Sequence, residues 1–147
     1  MPTDLSDVYT EIVGEHSREP FNKYHLDHPT DCLKGHNPSC GDEITLELDV
    51  ENGIVKDASF TGVGCAISQA STDIMIDLIR GKTVEEARHL AHLFIGMIKR
   101  EITDDDELAE LEEALALKNI SHMPARVKCA VLAWHTLDDA LKDKEKA

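Results

Sequence analysis

From residue 43 onward the spacing of apolar positions changes period several times, and each period predicts an element. Over residues 43–50, Ile44, Leu46, Leu48 and Val50 alternate with Thr45, Glu47 and Asp49, the pattern of a strand with one buried face. Glu51-Asn52-Gly53 supplies a hairpin turn, and residues 54–60 return as a second strand. Thr61-Gly62-Val63-Gly64 then leads into a helix that starts near Cys65, with Ile67, Ala70, Ile74, Met75 and Leu78 at helical spacing and Gly81 placed as its C′ residue.

Three further helices follow from their start signals. Thr83-Val84-Glu85-Glu86 matches a capping box ahead of Leu90, Leu93, Phe94 and Met97. Thr103 followed by Asp104, Asp105 and Asp106 puts carboxylates in a first turn, where the helix dipole favours them. Pro124 suits N1 of a last helix whose stripe is Val127, Val131, Trp134, Leu137 and Leu141. At the other end of the chain, Leu5, Val8, Tyr9, Ile12 and Val13 share one helical face, with Thr3 or Asp4 as cap. Pro20 interrupts this pattern, and residues 25–39, with two prolines, a glycine and three histidines, read as an irregular loop. The expected plan is a small antiparallel sheet with helices packed around it, an α+β domain spanning residues 1–147 without a dividing linker.

Composition narrows the function classes. A formal charge of −14 argues against a phosphate backbone as partner, because nucleic-acid binding relies on clustered Lys and Arg. The acidity is concentrated in residues 101–113, eight carboxylates in thirteen residues, which reads as a solvated helix face. No apolar run approaches the roughly 20 residues that cross a bilayer, and the first residues lack the basic and apolar regions of a signal peptide. The expected compartment is the cytoplasm, where thiols stay reduced.

In that compartment four cysteines, at 32, 40, 65 and 129, are too few for a disulfide framework and enough for one metal site. Cys40 and Asp42 stand two apart before the first strand, so in extended backbone they point to the same side. Cys65 follows a glycine-rich turn at a helix start, where unsatisfied N–H groups and the dipole favour a thiolate. Cys129 lies in the first turns of the last helix, with Arg126 and Lys128 beside it. Three potential thiolates and a carboxylate at the ends of separate elements are a common way to build a tetrahedral site. Each also has an ordinary reading: a cysteine as a small buried hydrophobe, an aspartate as a turn residue, glycines as a tight turn. Spacing alone leaves both open.

Three segments taken together, Cys40-Gly41-Asp42, residues 62–68 (GVGCAIS) and residues 124–130 (PARVKCA), resemble the NifU/IscU-type iron–sulfur assembly family. They occur in the family's order, and the likeness extends over nearly the whole chain, including the N-terminal helix. It implies a sheet of about three strands packed against helices, and a metal held by Cys40, Asp42, Cys65 and Cys129. Two departures from the IscU scaffolds resemble the SufU branch. Lys128 stands where those scaffolds carry a His before the third Cys, and the stretch between Cys65 and Cys129 is longer, around residues 81–99.

The resemblance to that branch implies tight zinc binding and sulfur transfer in partnership with a SufS-type cysteine desulfurase. A His of the desulfurase would displace Cys40 from the metal, and Cys40 would accept the persulfide sulfur. Cys65 and Cys129 would remain as anchors, and downstream iron–sulfur assembly proteins would receive the sulfur. Arg126 is a candidate partner contact, and Cys32 has no place in the motif.

Three other readings compete. The same four ligands could carry an iron–sulfur cluster on a scaffold, or the metal could only stabilise an interaction module. Hydrolytic zinc chemistry would need an open coordination position, with His36 as base or alternative ligand. His89 and His92, three apart on one helix, are a weaker metal pair.

Overall fold

The computed structural model describes Gly14, His16, residues 20–37 and residues 41–142. The N-terminal helix expected around Leu5, Val8, Tyr9, Ile12 and Val13 lies outside the described residues, and so does Cys40. Three strands form one antiparallel sheet in the order β1-β2-β3: β1 Asp31–Asn37, β2 Asp42–Glu51 and β3 Ile54–Val63. The helical elements follow as α1 Ala66–Ile79, α2 Val84–Ile98, a single turn α3 Asp105–Leu108, a 3₁₀ stretch Ala109–His122, and α4 Pro124–Leu141.

The hairpin between β2 and β3 closes where the turn chemistry places it. Asn52 and Gly53 both take positive φ, 53° and 75°, as a two-residue turn matched to strand twist requires. Its register sets Leu46 opposite Phe60 and Leu48 opposite Ala58, so these four buried residues share the face that meets the helices. Thr83 caps α2 with a complete capping box, Asp104 caps α3, and Pro124 sits in the first turn of α4. The Phe94 ring of α2 stacks on Trp134 of α4 at 4.1 Å between centroids, and both are fully buried.

Three expectations are corrected. Residues 25–39 are not all loop, since Asp31–Asn37 form β1 and pair with β2 from Asp31↔Leu48 to Asn37↔Asp42. No hydrophobic alternation announces this strand, because it is an edge whose residues are mostly exposed. Its contact with the core runs through Gly35, where a Cβ would collide with Thr136 of α4. β3 runs on through Thr61, Gly62 and Val63, which pair with Thr45, Ile44 and Glu43, so the lead-in to α1 is strand up to Gly64. The acidic helix expected from Thr103 is one α-turn followed by 3₁₀ geometry, broken at Glu112 with φ 50° and ψ −120°.

α4 packs on β1 and β2, and α1 on β3. α1 and α4 lie against each other, held by a chain of buried hydrogen bonds. Trp134 Nε1 donates to Ser71 Oγ at 2.8 Å, and Ser71 Oγ donates to the Ala130 carbonyl at 2.6 Å. This contact fixes how far each helix slides along the other, and it lies next in sequence to Cys129.

Candidate metal centre

Three elements end at one place. Asp42 opens β2, Cys65 is the N-cap of α1, and Cys129 lies in the second turn of α4. A carboxylate oxygen of Asp42, Cys65 Sγ and Cys129 Sγ all lie within 4.8 Å of one another. Asp42 is fully buried, Cys129 is 1% exposed and Cys65 is half-buried, so the cluster has one side toward the surface.

Hydrogen bonds preset two of these groups. Cys65 N–H donates to Asp42 Oδ1 at 2.8 Å, tying the start of β2 to the start of α1 across the end of the β2–β3 ribbon. Ser68 N–H donates to Cys65 Sγ at 3.4 Å, the capping bond of the helix, so the sulfur faces the positive end of the α1 dipole. Gly64 makes the approach possible, because a Cβ there would overlap Ser68 Oγ and stand 2.9 Å from Asp42 Oδ1.

Asp42 Oδ2 is buried with no hydrogen-bond partner among the described residues. A carboxylate oxygen in that position is costly unless a donor or a cation meets it. The two cysteine sulfurs near the Asp42 carboxylate make the donor set soft enough for zinc or iron and too sulfur-rich for calcium or magnesium. A tetrahedral zinc keeps its donors roughly 3.5–3.8 Å apart, which the spacing of the three groups allows. Asp42, Cys65 and Cys129 therefore fit a metal, and the structure gathers all three predicted ligands that it describes. Lys128 and Arg126 are exposed on the first turns of α4.

Other candidates go elsewhere. Cys32 is exposed on β1 opposite Glu47, and His36 is exposed opposite Glu43, so neither belongs to the cluster. His89 and His92 turn to different acceptors, Glu110 at 2.9 Å and Asp138 at 3.0 Å, and do not act as a pair.

A second group was missed. His16, Asp73 and Asp77 bring donor atoms within 4.8 Å of one another, and these are taken up by protein hydrogen bonds. His16 Nδ1 meets Asp73 Oδ2 at 2.5 Å and its Nε2 meets Glu113 Oε1 at 2.8 Å. Asn22 donates from its backbone to Asp73 Oδ1, and from its side chain to Asp73 and Asp77. Burial alone would lower the His16 pKa, but its bonds to Asp73 and Glu113 outweigh that and hold it above the ordinary value. The available signal was Asp73 itself, a charged residue flanked by the apolar positions of α1, which a buried helix tolerates only with partners.

The structure is an α+β fold with a thiol and carboxylate donor set, one that could hold a metal ion, at one end of a three-stranded sheet. The family profile of the NifU-like N terminal domain matches residues 8–147, and the chain belongs to that family. It is 43% identical over 135 residues to the iron–sulfur cluster assembly scaffold protein IscU of Thermotoga maritima, covering 92% of this chain and 93% of the relative. It is 36% identical over 143 residues to the zinc-dependent sulfurtransferase SufU of Bacillus subtilis, covering 97% and 95%. Among solved structures, a Fervidobacterium islandicum protein described as an assembly scaffold for the SUF system superimposes with a TM-score of 0.84. It is 34% identical, over 91% of this chain and 96% of that one. The protein is thus a member of the scaffold and SufU group of iron–sulfur cluster assembly.

Proposed function

We propose that this chain is a zinc-dependent sulfur acceptor that takes persulfide sulfur from a SufS-type cysteine desulfurase and hands it to iron–sulfur assembly proteins in the cytoplasm. The observation that carries the reading is the Asp42, Cys65 and Cys129 donor set, with Asp42 Oδ2 buried and lacking a hydrogen-bond partner among the described residues. Cys40, two residues before Asp42, would be the fourth ligand and the sulfur acceptor. Lys128 in place of the scaffold His removes one candidate cluster ligand. The Bacillus subtilis relative, named as a zinc-dependent sulfurtransferase, supports the same choice.

Zinc, when bound, would keep the thiols deprotonated at neutral pH and tolerate exchange of one ligand without a change of oxidation state. The chain's own residues divide the remaining work. Cys65 and Cys129 anchor the centre from two helices packed against each other. Asp42, a harder donor than a thiolate, makes the centre exchangeable. The Cys40 thiolate attacks the outer sulfur of the enzyme's cysteine persulfide. An S–S bond forms on Cys40 while the one to the enzyme breaks, and the enzyme's cysteine leaves as thiolate. The sulfur stays at the persulfide level, so no external oxidant or reductant enters the step. Arg126, exposed near the centre, would be a partner contact.

The test is desulfurase turnover with the wild-type chain and with Cys40→Ala. The variant is expected to lose the stimulation, and full stimulation would remove Cys40 as acceptor. The second reading is a scaffold holding a cluster on the same ligands, favoured by the name of the Thermotoga maritima relative. Protein purified without oxygen would be brown under that reading and colourless, with zinc by elemental analysis, under the first.

A further inference from the structure

We propose that the Ser68 hydroxyl is a positioning group of the metal centre, held in reserve to fix the Asp42 carboxylate when an ion occupies its other oxygen. The inference rests on the reading that Asp42 is a metal ligand.

Ser68 is 1% exposed in the first turn of α1, and its Oγ has no hydrogen-bond partner among the described residues. A helical serine ordinarily bonds back to the carbonyl four residues earlier. Here that carbonyl, Gly64 O, accepts from Gln69 Nε2 at 3.0 Å, and Ser68 Oγ makes no bond to it. The neighbouring hydroxyls show the usual outcome. Thr72 Oγ1 donates to the Ser68 carbonyl at 2.7 Å, and Ser71 Oγ donates to the Ala130 carbonyl. Ser68 alone of these three keeps its donor uncommitted.

The surroundings of that hydroxyl are given by Gly64. A Cβ on Gly64 would overlap Ser68 Oγ and stand 2.9 Å from Asp42 Oδ1, so both oxygens border the same small gap, which only a glycine leaves open. Asp42 Oδ1 already accepts from Cys65 N–H and has a second lone pair. Asp42 Oδ2, on the other branch of the carboxylate, is the oxygen available to a metal. Two donors on Oδ1 would keep the carboxylate from swinging both oxygens onto the ion, the role outer hydrogen bonds play for metal-ligating carboxylates.

The experiment is Ser68→Ala, a change too small to disturb the helix. It is read by zinc affinity in competition with a chromophoric chelator, by the visible bands of the Co²⁺-substituted protein, and by the melting temperature of the metal-free protein. The expected result is zinc binding weaker by about 10-fold or more, altered cobalt bands as Asp42 changes its mode of binding, and a metal-free melting temperature that is unchanged or raised. Zinc affinity within twofold of wild type, or an unaltered cobalt spectrum, would overturn the proposal. So would a metal-free melting temperature lowered in step with the affinity, since that is the mark of a structural role. No desulfurase enters this assay, so it can fail while sulfur transfer stands. If the wild-type chain takes up no zinc, the metal reading of Asp42 falls with it.

Discussion

Asp42 Oδ1 accepts the Cys65 backbone N–H at 2.8 Å, so one bond joins the first residue of β2 to the N-cap of α1, 23 residues away in sequence. The other oxygen, Oδ2, is buried without a hydrogen-bond partner among the described residues. The donor set proposed for a metal is thereby gathered by the same contact that ends the β2–β3 ribbon, so metal binding and stability are expected to be coupled.

Stripping the metal with a strong chelator is therefore expected to lower the melting temperature, because binding energy at such a site is also folding energy. With free zinc about 100-fold above the dissociation constant, the loss is about 2.7 kcal/mol. Calorimetry before and after chelation, with zinc restored as control, measures it. An unchanged melting temperature would separate the metal from the fold.

Gly64→Ala is expected to weaken metal binding by about 10-fold or more while the helices remain. The added Cβ meets Ser68 Oγ and crowds Asp42 Oδ1, so the carboxylate must move before the helices do. Chelator competition and far-UV circular dichroism together check both halves.

His16→Gln should change the pH dependence of stability. The folded-state pKa of His16 is raised by Asp73 and Glu113 against the opposing effect of burial. The protonated form is therefore favoured in the fold. Its contribution is full below the unfolded value of about 6.5 and is lost as pH rises through the higher folded value. The gap in melting temperature between wild type and variant is expected to be wider at pH 6 than at pH 9. Melting curves across that range decide it, and a gap that widens with pH would refute the charged state. Asp73, Asp77 and Glu113 are the carboxylates facing His16, so the scan should stay above their titration.

Phe94→Ala is expected to cost about 3–5 kcal/mol, since Phe94 is fully buried and stacked on Trp134. Trp134 is the only tryptophan, so its fluorescence follows urea unfolding of wild type and variant. The same variant should shift native emission, because the ring next to the indole is gone.

Lys128→His introduces the residue that the resemblance to the IscU scaffolds leads one to expect before the third cysteine. If Lys128 separates sulfur transfer from cluster building, the variant reconstituted with iron and sulfide should retain its visible absorbance longer than wild type does. Equal bleaching rates would show that position 128 does not set the choice.

What the sequence by itself determined was local. The hairpin at Asn52-Gly53, the Thr83 capping box, Pro124 at the start of α4 and the stripe through Trp134 depend on dihedral preference and periodicity within one segment. They appear in the structure where those rules place them. Cys65 at a helix start was legible for the same reason. The grouping of Asp42 with Cys65 and Cys129 was legible only through three ordered motifs, because ligands so far apart in sequence obey no periodicity.

Tertiary structure decided what depends on a distant partner. β1 is a strand because β2 offers it a row of backbone hydrogen-bond groups and Gly35 lets it lie against Thr136. Its own polar residues encode no such preference. The acidic stretch lost its α-helix to 3₁₀ geometry where Leu111, Ala114, Leu117 and Ile120 turn into the core. Burial of Asp73 became affordable only when His16 and Asn22 reached it from residues more than fifty positions away. Ser68 shows the limit most clearly. In sequence it is one more serine in a helix, and only packing shows that its hydroxyl is buried without a partner among the described residues and borders the same gap as Asp42 Oδ1.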